Sequence, residues 1–309
     1  MAGALSFTIG TFRAGSAVTG NSFAIFTFGA FYYFTNLVSN TGVVAADTAG
    51  VGTSRYANAG AVYGTNKAII GYGISNADHT TALSMTNKIS NTGVVATDTV
   101  GVGTARTDLA AAGYGTDKAI FGYGTASGSY LSMTNLVTNT GVVGNDVTGV
   151  GTARGVLAAA GYGTDKAIFG YGSIAGPTRV SMTNKVSNTG VVASDTTGVG
   201  TTRRYLAAAT YGTDKAIFGY GDTSSGVYVS ITNLVSNTGV VATDTTGVGT
   251  ARTTLAAAGY GSDKAIFGYG LASGNFVSMT NLVSNTGVVA TDTTGVGTAR
   301  GTLAAASYG

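Results

Sequence analysis

Cysteine and tryptophan are absent from the 309 residues, and proline and histidine occur once each. Without cysteine there can be no disulfide, no thiolate nucleophile and no cysteine-bound metal, and the redox compartment is left open. Charge is scarce as well. Charged residues make up 9% of the chain, against roughly 25% in an average soluble domain. The formal net charge of +3 is spread along the chain, so the clustered basic patch that nucleic-acid binding requires is not expected. The longest apolar stretch, at 24 to 34, is broken by Thr and Gly and is too short to cross a bilayer as a helix. The opening MAGALSFTIGTFRAG has neither the basic leader nor the long apolar core of a secretory signal. No signal peptide and no membrane span are therefore expected.

What the chain does contain is glycine, 50 residues of it, within a composition that is 44% apolar. Val, Thr, Tyr and Phe in that mixture favour pleated strands over exposed helices. The phrase GYGTDKAIFGYG at 113 to 124 returns unchanged at 161 to 172, with near copies at 62, 210 and 259. Aligned on GTAR, the units start near Arg13, Arg55, Arg106, Arg154, Arg203 and Arg252, and a partial unit starts at Arg300. The spacing of about 48 residues lies in the range of propeller-blade repeats. Each unit divides into four short extended segments, such as LAAAGYG, KAIFGYG, FVSMTNLVS and GVVATDT, joined by turn residues. Four strands repeated about six times predict one all-β domain over 1–309, a β-propeller of six four-stranded blades, or seven if the two ends build a reduced one. A phosphate-binding loop is excluded, because GYGTDKAIFGYG leads into an apolar strand and has no hydroxyl after its Lys.

The order R-x-x-L-A-A-A, K-A-I-F-G-Y-G, T-N-L-V-S-N-T-G-V-V, G-T-A-R resembles the kelch-type propeller motif, with Val where that family has Trp. The near-verbatim copying also resembles repeat proteins predicted in tailed phages of aquatic bacteria. That second resemblance implies a virion or extracellular setting, and a structural protein that assembles with itself or with other structural subunits. The alternative is a carbohydrate- or receptor-binding propeller recognising surface glycans.

The ends pose a problem of closure. Six units leave no room for both the strand at Arg13 and the strand after Arg300, so one must cap the ring, share a reduced blade or enter a neighbouring chain by strand addition.

Asp47, Asp98, Asp146, Asp195 and Asp244 stand eight residues before Arg55, Arg106, Arg154, Arg203 and Arg252. These loops lack the D-x-D density of calcium sites, and the rigid guanidinium fork suits a structural pin between blades. Asn36 and its equivalents are expected to bond between strands, and Asn40 and its equivalents to take left-handed geometry in the SNTG turn. An enzyme is not expected, nor a cofactor or metal. His79 is the only histidine and has no companion, and every Asp except Asp78, Asp108 and Asp222 occupies a symmetric position. The copies differ chiefly in the loops between second and third strands and in the pairs after each Arg. Those differences nominate a partner face of Tyr32, Tyr33, Tyr130, Arg179, Tyr205, Tyr228 and Phe276.

Overall fold

The computed structural model describes residues 22–175, 178–223 and 226–309. The segment containing Arg13, on which the reading of a first unit rests, lies outside them. The described chain is all-β, folded into many small antiparallel sheets with no sheet closed on itself.

Six sheets carry the repeat. The third is typical: Ala110–Tyr114 pairs with Lys118–Gly122, which pairs with Thr134–Val137. The first strand alternates small residues and ends in Tyr, and the second is buried along both faces. Side chains here must be small because strands of neighbouring sheets crowd together. A Cβ on Gly60 would lie 2.7 Å from the Ala305 carbonyl oxygen, and one on Gly113 2.8 Å from Val62 Cγ1. In the turn Tyr-Gly-Thr-Asp-Lys, Gly115 and Thr116 both hold positive φ, 59° and 68°, the backbone that tight hairpins demand.

The expected fourth strand is not continuous. Opposite Thr134–Val137 the outer segment touches at two bridges only, Val137 with Val143 and Thr134 with Val147. One extra residue on the outer side makes a bulge. The reason is Asn135, whose side chain fills the gap and donates to Gly144 O at 3.0 Å and to Asp146 Oδ1 at 2.9 Å. The SNTG turn also differs from expectation. Its left-handed residue is glycine, as at Gly93 with φ 80°, and the side chain that holds the turn is serine, with Ser90 Oγ accepting from Thr92 and Val94 N–H.

The surplus C-terminal strand is used within its own chain. Ala304–Tyr308 pairs antiparallel with Phe23–Thr27, which pairs in turn with Phe34–Val38. The first sheet is thus assembled from both ends of the described chain. The first strands of the six sheets are neighbours in the order Ala59–Tyr63, Ala110–Tyr114, Ala158–Tyr162, Ala207–Tyr211, Ala256–Tyr260, Ala304–Tyr308, and the last neighbours the first. A circuit of backbone hydrogen bonds follows the same order. Gly64, Gly115, Gly163 and Gly212 each donate at 2.7 Å to the aspartate carbonyl of the next turn; Gly261 donates to Ser22 and Gly309 to Asn66, both at 2.9 Å.

The core is correspondingly divided into six clusters, each lying between two successive sheets. In five of them a Tyr of one sheet meets a Phe of the next edge-on or tilted, at 5.1–5.2 Å, as in Tyr72 with Phe121 and Tyr269 with Phe26, each worth about 0.5–1.5 kcal/mol beyond its burial. The seam between the first and second sheets is the exception. There Phe28 replaces the Tyr, Ile70 replaces the Phe, and Thr27 occupies the repeat's glycine position.

Candidate functional site

Six arginines, Arg55, Arg106, Arg154, Arg203, Arg252 and Arg300, are fully buried, which is tolerable only because each is bonded on several sides. Each guanidinium donates to an Asn Oδ1 at 2.5–2.7 Å and stacks at 4.4–4.8 Å over the aromatic ring of the preceding sheet. The carboxylate facing each arginine is not the one eight residues upstream. Arg55 faces Asp98 at 3.6 Å and Arg106 faces Asp146 at 3.9 Å, and Arg300 reaches Asp47 near the other end of the chain at 3.7 Å. The same aspartates fix the linker entering their sheet, Asp146 accepting from Thr104 N–H and Oγ1 and Asp47 from Thr298. Burial works to raise the pKa of Asp146, but the hydrogen bonds from Thr104 and Asn135 and the charge of Arg106 outweigh it and hold the group below its ordinary value. Burial lowers the pKa of Arg55, at the atypical seam, to about 10.

The centre of the six sheets opens at two ends of unlike character. At the turn end a cavity of about 320 Å³ is lined by repeats of the same residues, Tyr63 and its equivalents with Thr and Lys. Four lysines of these turns pair with the aspartate before them at 2.7–2.9 Å, and three of them, Lys118, Lys166 and Lys264, line the cavity.

At the other end a pocket of about 90 Å³ is lined by Ala57, Asp108, Val156, Tyr205, Thr254 and Thr302, with Asn58 and five leucines behind them. These six residues stand two places after each arginine, and no two neighbours before Thr254 share a side-chain type. Their backbones nevertheless form one closed circuit. Asp108 N–H donates to Ala57 O at 3.0 Å, Val156 to Asp108 at 2.8 Å, Tyr205 to Val156 at 3.0 Å, Thr254 to Tyr205 at 2.9 Å, Thr302 to Thr254 at 2.8 Å, and Ala57 to Thr302 at 2.9 Å. All six hold φ between 52° and 56°, a region that costs β-branched residues such as Val156 roughly 1–2 kcal/mol. Strain of this kind concentrates at functional sites.

The varied loops stand at this same end, their bases bridged to the residues after the arginines: Thr125 with Thr107, Ser173 with Gly155, Leu271 with Thr253. Of the seven nominated residues, Tyr205 alone lines the pocket. Tyr130 and Phe276 pack on neighbouring units, and a Cβ on Gly155 or Gly301 would lie 2.8 Å from their rings. Tyr33 is stacked on Phe28 at 5.7 Å, with its hydroxyl bonded to Gly52 O, and Tyr32 stacks on Phe34 at 6.2 Å. Arg179 is buried against Asp222 at 2.9 Å, and Tyr228 is partly buried at a bridge to Asp222. Two features escaped the reading of the sequence. Phe31, 69% exposed, meets His79 at a tilt at 5.3 Å, and His79 meets Tyr56 likewise at 5.8 Å. Asn58 stands where the other five sheets place Leu, and aligning the R-x-x-L positions would have found it.

Among the described residues there is no group of three His, Cys, Asp or Glu that could hold a metal, and no helix long and apolar enough to cross a membrane. No protein-family model and no curated protein matches this chain.

Proposed function

We propose that the chain is a six-bladed, kelch-like β-propeller that serves as a non-enzymatic recognition scaffold, its varied end engaging a partner or surface glycan. The observation that carries this reading is the asymmetry of the two ends. One end repeats the same Tyr, Thr and Lys from unit to unit, whereas at the other a different side chain converges on the centre from almost every unit. Conserving backbone while varying side chains is how binding surfaces are built on rigid scaffolds. The circular order of first strands and the pairing of both chain ends in one sheet support the propeller architecture. A glycan and protein array probed with the purified chain tests the reading. Binding reduced by Tyr205→Ala or Tyr228→Ala supports it; binding unaffected by any change at the varied end overturns it.

A second reading, a structural component of a virion or fibre, is favoured by one observation. Val43, Val94, Val142, Val191, Val240 and Val288, one per unit, are 57–66% exposed and offer six equivalent apolar contacts. Assembly would then proceed through these valines, since the terminal strand that strand addition would need is paired within the chain. Filaments in electron micrographs, abolished by Val→Asp changes at these positions, would support this reading over the first.

A further inference from the structure

We infer that the pocket at Asp108 and Asn58 binds a primary ammonium group carried on a short alkyl stem. The inference rests on the varied end being the recognition end, and names the chemistry it takes.

Charge is the first argument. Aspartates at repeat positions face an arginine or a lysine, as in Asp98 with Arg55 and Asp117 with Lys118, and Asp222 faces two arginines. Asp108 has no basic partner among the described residues; its carboxylate accepts only from Thr107 Oγ1, at 3.0 Å. Desolvation raises its pKa, the signature of a carboxylate short of a counter-charge. Such a group favours a cation, and its charge opposes an anion.

Polarity is the second. Asn58 is 7% exposed, and both its Oδ1 and its Nδ2 lack a hydrogen-bond partner. An orphaned buried amide is destabilising, and five sheets avoid that cost with Leu at this place. Asp108 N–H donates to Ala57 O, which sets the carboxylate's residue beside Asn58. An ammonium, with three donors and no acceptor, can satisfy the carboxylate and Oδ1 together.

Size and wall are the third. The leucines that line the pocket with Tyr205 suit an alkyl stem. The volume of about 90 Å³ is smaller than the roughly 150 Å³ cavity that admits benzene, which leaves room inside the pocket for a few carbons. A bare metal ion would find one carboxylate and a set of carbonyls already engaged in the backbone circuit.

The shared chemistry could come from a free amine or from a lysine side chain of a partner protein. Isothermal titration of the full chain at neutral pH with butylammonium, butanol and butyrate, then with a lysine peptide and its lysine-acetylated form, separates these. Saturable binding of butylammonium alone among the small probes is expected, about tenfold or more weaker in Asp108→Asn, in line with the loss of a charge-assisted bond. Asn58→Leu, which restores the residue of the other sheets, should weaken it while the unfolding midpoint holds or rises. Binding of the unacetylated peptide far more tightly than of butylammonium assigns the source to a protein lysine; the reverse assigns it to a free amine. Equal binding of butanol, an unchanged affinity in Asp108→Asn, or no uptake of any amine overturns the inference. If amine uptake fails while array binding persists, this inference falls alone; if both fail, the recognition reading falls with it.

Discussion

A buried arginine in every unit concentrates stability in single side chains. Arg154 donates to Asn184 at 2.6 Å, lies 3.7 Å from Asp195 and stacks on Tyr123 at 4.4 Å, so Arg154→Ala leaves an amide and a carboxylate without their partner. A loss of about 3–5 kcal/mol is expected, measured by urea unfolding. Arg154→Lys should lose nearly as much, because an ammonium cannot reproduce the fork and the stacked plane. Asp108 behaves in the opposite sense. Its folded pKa is raised by desolvation, so the charged form is disfavoured in the folded state and stability falls as pH rises through the window above the ordinary value of 3.8. Asp108→Asn should therefore raise the thermal midpoint at pH 7 in the absence of ligand and leave it unchanged at pH 3.

Among the elements, the linkers and turns divide into glycines that are enclosed and glycines that are free. Gly103 has φ 73°, and a Cβ there would lie 2.3 Å from Asp146 Oδ1 and 2.6 Å from Asn135 Nδ2. Gly128 has a similar φ of 77° with nothing within 4 Å. Gly128→Ala should cost only the left-handed penalty of roughly 1–2 kcal/mol, and Gly103→Ala clearly more, since it also breaks the Asn and Asp bonds that hold the linker. Chemical denaturation of the two variants gives the comparison. The strands themselves were legible from the repeat, because KAIFGYG and the turn glycines carry period and punctuation together. The broken fourth strand was not. GVVATDT reads as a strand, and only a side chain from another segment, Asn135 and its equivalents, interrupts its pairing. The partner of each arginine was hidden for the same reason. Spacing along the chain named the nearest aspartate, whereas the linker geometry delivers each arginine to the next.

At the scale of the whole molecule, the ring of sheets depends on nine C-terminal residues. Ala304–Tyr308 supplies the first strand of the first sheet, pairing with Phe23–Thr27. A chain ending at Arg300 should lose cooperative unfolding and associate, because Phe23–Thr27 becomes an unpaired edge. Circular dichroism melts and size-exclusion chromatography would register both. The convergence of the six positions on the pocket was also invisible in the sequence, where they look like scattered irregularities after each arginine. The circuit of backbone bonds that gathers them has one further consequence. Because amides and carbonyls alone do the holding, the six side chains behave as letters in a word written around the mouth, and each can be changed without rewriting its neighbours. Proline is the one letter barred, having no N–H to offer. Duplication of a unit followed by drift at this single position would then be enough to change the lining of the pocket while the scaffold stays as it is.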